Sequence, residues 1–299
     1  MSLVRREAVA MPRVLVTGAT GTFGGEVARQ LLAKGVPVRV LARDSAKARR
    51  MSGALEVVVG DFDQAEALDA ALTGIERVFL ASFDSPRQAA LQRQVLAAAQ
   101  RHGVRHVARI STTNVQKLRH LPIFAWHYEG ERQLERSGLA FTHLRPHWVM
   151  QNFLPSSTAT PVVDGAIRLP AGTGRVHFVD ARDVAAVAAV VLTEPGHEGQ
   201  AYELTGAEAL TYAEVAATLS AAAGRAIAYE NISPATYAQE RGAQGWSQPA
   251  IETMLALFSL IRDGLDVDAS GAIARVTGRA PISFREFASD YAATFGASD

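Results

Sequence analysis

Gly18, Gly21 and Gly24 recur at three-residue spacing between a β-branched run, Val14-Leu15-Val16, and a helical pattern carrying Val27, Leu31 and Leu32 on one face. Gly18 can take a tight turn without a Cβ clash, Gly21 lets backbone approach a pyrophosphate, and Gly24 lets the helix pack on the strand. Free N–H groups at the helix start, with its positive dipole end, would then hold the phosphates of a dinucleotide. A plain strand-to-helix turn has the same spacing, so the following elements decide. A second group of reactive side chains lies in Trp126-His127-Tyr128-Glu129-Gly130-Glu131-Arg132. Here His127 and Glu131 are one helical turn apart, as are Tyr128 and Arg132. A carboxylate beside an imidazole can orient it for proton transfer. Ser111 and Thr112 end an apolar run and could hydrogen-bond a carbonyl or simply satisfy the strand end.

These residues need a scaffold, and the chain alternates strand and helix patterns. Strands read at 14–16, 38–42, 55–59, 77–82, 104–110 and 141–146, with helices at 65–72, 87–102 and 124–136. That alternation implies an α/β fold, a Rossmann-type doubly wound parallel sheet with ligands at its carboxyl edge. Gly18, Arg43, Asp61, Ser82, Ser111 and Pro146 all fall on that edge. Arg43 ends the second strand, with Lys47, Arg49 and Arg50 on a short helix that Asp44 or Ser45 would cap. An Arg there suits the ribose 2′-phosphate of NADP(H), whereas an acidic residue suits the 2′-hydroxyl of NAD(H); Asp44 argues the other way. Asp61 could accept a bond from the adenine amino group while Phe62 covers the ring, or it is a turn residue.

The second half is less regular. Short strands are expected at 166–169, 176–178, 201–204 and 227–231, and a helix from Asp180 to Leu192. Thr211-Tyr212-Ala213-Glu214 is a capping box, Ser233-Pro234 and Ser283 open further helices, and 249–261 is an apolar helix. The expected division is a disordered tail at 1–11, an NAD(P)-binding domain at 12–150 and a smaller α/β substrate-binding region at 151–299, with 176–204 returning to the first sheet. The 299 residues carry 30 basic and 30 acidic side chains, so no global field recruits nucleic acid or anionic lipid. Cysteine is absent, which excludes disulfides, thiolate metal sites and cysteine nucleophiles. No apolar run approaches the ~18 residues of a bilayer span, and the first ten residues lack a signal-peptide pattern. A cytoplasmic protein is the expectation.

The chain resembles the NmrA-like atypical short-chain dehydrogenases/reductases, which include NADPH-dependent quinone reductases and triphenylmethane reductases. The residues that carry the likeness are Val16-Thr17-Gly18-Ala19-Thr20-Gly21 with Gly24, Val40-Leu41-Ala42-Arg43, Gly60-Asp61-Phe62 and Ile110-Ser111. They continue with His127 and Glu131, Thr142-His143-Leu144-Arg145-Pro146, Gln151-Asn152-Phe153, Phe178 to Ala185 and Tyr202 to Gly206. The resemblance implies cofactor contacts from Gly18, Thr20, Gly21, Thr22, Phe23 and Gly24, from Arg43, Asp61 and Phe62, from Ala81-Ser82-Phe83, and from the loop after Pro146. It implies NADP(H) in preference to NAD(H), and places the matching histidine near the nicotinamide.

Classical short-chain dehydrogenases use Tyr-x-x-x-Lys, in which the Lys lowers the Tyr pKa; this chain has Tyr128-x-x-x-Arg132. An Arg fork is no substitute for a compact ammonium. His127 is therefore the first candidate acid, ahead of Tyr128 and Ser111, and a satisfied helix histidine is the plainer alternative. His102, His106, His120 and His143 show no carboxylate at metal-ligand spacing in sequence, so no catalytic metal is expected. Trp126, Trp148, Met150 and Phe153 are expected walls for a flat substrate. The expectation is an NADPH-dependent oxidoreductase passing hydride to a quinone or other conjugated carbonyl or aromatic acceptor. The alternative is a redox sensor that binds NADP(H) without turnover and acts on a partner protein; a nucleotide-sugar isomerase would keep the Tyr/Lys pair. A small molecule is the expected partner, neither nucleic acid nor membrane is, and a homodimer stays open.

Overall fold

The computed structural model describes residues 11–44, 46–47, 55–155, 157, 160, 162–264 and 268–296. Expectations for residues 1–10, Ser45, Arg49 and Arg50 lie outside these. A seven-stranded parallel sheet has the order β3-β2-β1-β4-β5-β6-β9. Its strands are β1 (Val14–Thr17), β2 (Val38–Ala42), β3 (Glu56–Val59), β4 (Arg77–Leu80), β5 (His106–Ile110), β6 (Ala140–Pro146) and β9 (Gln200–Leu204). β1, β2 and β5 are buried at every position, as parallel strands covered on both faces must be.

Each crossover returns through a helix. α1 (Thr22–Ala33) and α5 (Ala181–Val191) cover one face, packing Val27, Ala28 and Leu31 with Val184, Val187 and Ala188. α2 (Ala65–Leu72), α3 (Gln88–Arg101) and α4 (Pro122–Arg136) cover the other with Leu68, Leu72, Val95, Leu96 and Leu134. α4 begins earlier than its apolar pattern indicates, because Pro122 fits the first helical turn, where no backbone N–H is needed.

A second hydrophobic core lies beyond β6. Two small strand pairs frame it: β7 (Ala166–Leu169) parallel with β11 (Ala228–Asn231), and β8 (Arg175–Val176) antiparallel with β10 (Leu210–Thr211). The expected strand at 176–178 is thus displaced, and it pairs with β10 rather than with the large sheet; only β9 returns there, beside β6. Around these strands pack α6 (Tyr212–Ala223), α7 (Pro234–Ala243), α8 (Gln248–Arg262), α10 (Phe284–Asp290) and α11 (Ala292–Gly296). A short α9 (Ala272–Thr277) instead joins the first core through Ala272 and Ile273.

The two cores are tied at two buried carboxylates, Asp180 and Asp183. Asp180 caps α5 by accepting from Arg182 N (2.8 Å), and its Oδ1 also accepts from Gln151 Nε2 (2.9 Å). Gln151 in turn accepts from Ala181 N (2.9 Å), and Asp183 accepts from Ile282 N (2.7 Å). Phe178 to Val184 therefore joins the large sheet's helix layer to the aromatic cluster of Phe153, Phe178, Tyr212 and Phe284.

Candidate functional site

Strand order reverses between β1 and β4, so the crevice at their carboxyl ends is the topological switch point. Thr17 stitches it: its hydroxyl donates to Ala81 O (2.8 Å) and accepts from Ala81 N (2.9 Å). Gly18 follows with φ +64°, the left-handed region that a side chain resists. A Cβ on Gly24 would run into the Gly18 carbonyl, so α1 can start this close to the strand only without one. The N-cap of α1 is Gly21, and no side chain caps its first turn. Thr20, Gly21 and Thr22 are exposed there; the Gly21 N–H donates to Gly18 O (2.9 Å), and the N–H groups of the first turn after it are left open at the crevice. A pyrophosphate fits this cradle.

Beside the cradle, Arg43 is exposed and makes no ion pair among the described residues. Its neighbour Asp44 is already engaged, accepting from Ala46 N (2.8 Å) and Lys47 N (3.1 Å). The carboxylate thus caps the chain that follows it, while the guanidinium meets no carboxylate among the described residues. Asp61 ends β3, with Oδ1 accepting from Phe62 N (2.8 Å). Phe62 differs from its expectation. Its ring is buried with Leu41, Leu68 and Leu72 in the core, because the strand end turns it under α2 rather than over the crevice.

Across the switch point the site is built of side chains. Ser82 Oγ accepts from Gln92 Nε2 (2.8 Å), and Phe83 projects outward, 85% exposed. Asp84 Oδ1 accepts from Gln88 Nε2 (2.9 Å) and lies 3.0 Å from His127 Nε2. Burial would raise the Asp84 pKa, but the His127 hydrogen bond and charge, with Gln88 and Arg109, hold it below the usual carboxylate range. His127 is itself buried on α4, and the expectation that Glu131 orients it is corrected. Glu131, fully buried one turn on, is drawn instead to Arg145 of β6 by two bonds (2.9 and 2.7 Å). Burial opposes its ionisation, yet Arg145, His143 and the Ser111 hydroxyl keep its pKa low.

Arg109 lies beneath, wholly buried on β5, its Nε donating to Gln92 Oε1 (2.7 Å). Gly130 leaves it room, since a Cβ there would strike the guanidinium. Burial lowers its pKa to about 10, against the pull of Glu131 and Asp84, so it stays charged at neutral pH.

Other expected residues lie elsewhere. The Tyr128 ring sits between the Arg119 and Arg132 guanidinium groups, each 5.6 Å from its centroid. Tyr128 and Arg132 do share a face, but the cation covers the ring rather than the hydroxyl, which fits a structural tyrosine. Phe153 has no exposed surface and is core, not wall; the short 3₁₀ turn Met150–Phe153 points it into the second cluster. Met150 is also buried, lining a cavity of about 60 Å³ with Phe178, Gly206 and Phe284. Trp148 stacks on Phe258 of α8 (5.8 Å), and Trp126 is half-buried on α4. Pro146 is buried at the end of β6, its carbonyl accepting from Thr113 N (3.3 Å).

Sequence spacing missed Asp84, Gln88, Gln92 and Arg109. A signal did exist: Gln88 and Gln92 are polar residues at i,i+4 on the inward face of α3, where an amphipathic helix should be apolar. Folding also supplies carboxylates to two histidines that lack them in sequence: His102 meets Asp69 (2.9 Å) and His143 meets Glu135 (3.2 Å). Glu131, Glu135 and His143 lie close enough to share an ion, but Arg145 and Arg132 already occupy the two carboxylates.

The model of the NmrA-like family matches residues 11–279. The NAD(P)H azoreductase of Xenophilus azovorans is 37% identical over 286 residues, spanning 95% of this chain and 100% of that protein. The NADPH-dependent quinone oxidoreductase of Escherichia coli, solved with NADPH, superposes with a TM-score of 0.80 at 30% identity, covering 93% of this chain and 99% of that one. The triphenylmethane reductase of Citrobacter sp., solved with NADP(H), gives 0.79 at 26% identity over 94% and 99%.

Proposed function

The chain belongs to the NmrA-like family, and on that premise we propose that it is an NADPH-dependent reductase that passes hydride to a quinone, a dye or another conjugated acceptor. The observation that carries the reading is the glycine cradle at the switch point, with the uncapped start of α1 facing the crevice. The relatives' printed activities agree with it: azoreductase, quinone oxidoreductase and triphenylmethane reductase. NADPH, when bound, would supply a proton and two electrons together as hydride. The protein's part is placement. The Gly18–Gly24 loop takes the pyrophosphate, Arg43 the 2′-phosphate, and Asp61 the adenine edge. The strand ends at Ala81 to Phe83 and Pro146 flank the remainder, with Phe83 and Trp126 beside the acceptor.

The acceptor class follows from what the site lacks. A conjugated, electron-poor acceptor takes hydride directly, and its negative charge is quenched by a proton from solvent or from His127. No phenol activated by lysine is needed, which suits a Tyr128 held between two guanidinium groups. Ser111 would steady a carbonyl from the end of β5.

The test is loss of NADPH absorbance with purified protein across a panel of quinones, azo dyes, triphenylmethane dyes and conjugated ketones. Turnover with a panel member is expected. Tight NADPH binding without turnover on any of them would replace the reductase by a redox sensor.

A further inference from the structure

Hydride transfer as proposed leaves Asp84 without a task, although two side chains converge on it. His127 Nε2 (3.0 Å) and Gln88 Nε2 (2.9 Å) both meet the same oxygen, Oδ1. Oδ2 accepts no protein hydrogen bond among the described residues, and the side chain is 45% exposed, whereas that of His127 is only 7% exposed. The carboxylate is thus anchored from behind by one oxygen and presents the other outward. Its pKa lies below the ordinary range, so it is charged at neutral pH. It stands four residues beyond β4, next to the exposed Phe83.

Its position along a dinucleotide follows from the strand order. Arg43 and Asp61, at the ends of β2 and β3, mark the adenosine side, and the glycine loop after β1 marks the pyrophosphate. A dinucleotide lying across the switch point continues over β4 towards β5, which puts its nicotinamide half on the side of Asp84. We propose that Asp84, anchored by His127 and Gln88, is a fixed negative charge at the nicotinamide end of the crevice, favouring the cationic ring over the neutral reduced one. The inference rests on the hydride-transfer reading. Hydride leaves with both electrons of its C–H bond and forms a bond to the acceptor, so one positive charge is left on the ring. Asp84 stabilises that charge as it develops, at no cost of reorganisation, because its hydrogen bonds are already made. His127 is then a positioning residue: it holds the carboxylate and does not itself have to reach the acceptor.

The experiment compares dissociation constants of NADP+ and NADPH for the wild-type protein and Asp84→Asn by fluorescence titration, without an acceptor. The isosteric amide keeps an oxygen for Gln88 and removes the charge. NADP+ should weaken about fivefold and NADPH less than twofold, the size expected for one half-exposed charge at that end of the crevice. Equal changes for both forms, or none, would overturn the proposal; Asp84→Ser serves the same comparison should Asp84→Asn fail to fold. His127→Gln, which retains an N–H donor, should keep the wild-type ratio while His127→Phe loses it. Equal loss in both removes His127 from its positioning role. A wild-type protein that binds neither form would overturn the dinucleotide reading itself, and the inference with it.

Discussion

The two sides of the carboxyl edge are made of different material. The β1–β2 side offers backbone: N–H groups at the start of α1, a left-handed Gly18, and an exposed guanidinium, Arg43, with no ion pair among the described residues. The β4–β6 side offers side chains from strands and from α3 and α4, locked to one another underneath by polar contacts: Asp84 with His127, the ion pair of Glu131 with Arg145, and His143 with Glu135. A backbone cradle fails through sterics, since one added carbon has nowhere to go. A buried polar network fails through protonation, since each member depends on its partner keeping one protonation state. Binding and stability should therefore respond to different insults.

The largest expected effect is on stability, from acid. Burial lowers the pKa of His143 to about 4, and burial with the nearby Arg77 does the same for His106, which contacts Thr142 Oγ1 (2.9 Å). Between that value and the unfolded value near 6.5, the unfolded chain binds more protons than the folded one. Stability is then complete above about pH 6.5 and falls as pH drops towards 4, by about 3 kcal/mol for each histidine. Urea unfolding across this range should show a slope that shrinks in His143→Gln and shrinks further when His106→Gln is added. An unchanged slope would show that the network is not held by neutral histidines.

Next in size is the cradle. Gly24→Val puts a branched side chain against the Gly18 carbonyl, and should weaken NADPH binding about a hundredfold, the effect of a misplacement near 1 Å. Its pH–stability slope should match the wild type; if the slope moved as well, the two sides would not be independent. The smallest effect is expected at Arg43. Arg43→Ala should weaken NADPH about tenfold and leave NADH within twofold, because only NADPH carries the 2′-phosphate. Equal losses would take Arg43 away from that phosphate.

The cradle was legible in the chain because its parts are contiguous: strand, glycines and helix follow one another within Val14 to Leu31, and local sterics dictate their arrangement. Arg43 was legible as a strand tip, although only the folded chain showed Asp44 spent on Ala46 and Lys47. Helical spacing placed His127 and Glu131 one turn apart correctly. It gave the wrong partner, because two residues on one face of α4 are pulled to different strand ends, Asp84 after β4 and Arg145 on β6. Phe153 and Met150 look the same in sequence whether they line a cleft or a core. Their aromatic neighbours Phe178, Tyr212 and Phe284 come from distant stretches of chain and made them core.

By itself, then, the sequence determined the alternation that forces a parallel sheet, the carboxyl edge where the candidate residues gather, and the glycine loop proposed for phosphate, since each depends on periodicity or on neighbours within a few residues. Tertiary structure alone decided which charges meet. Pairing across 43 positions, as between Asp84 and His127, depends on how α4 settles against α3 and β6, and no local preference of either residue contains that information.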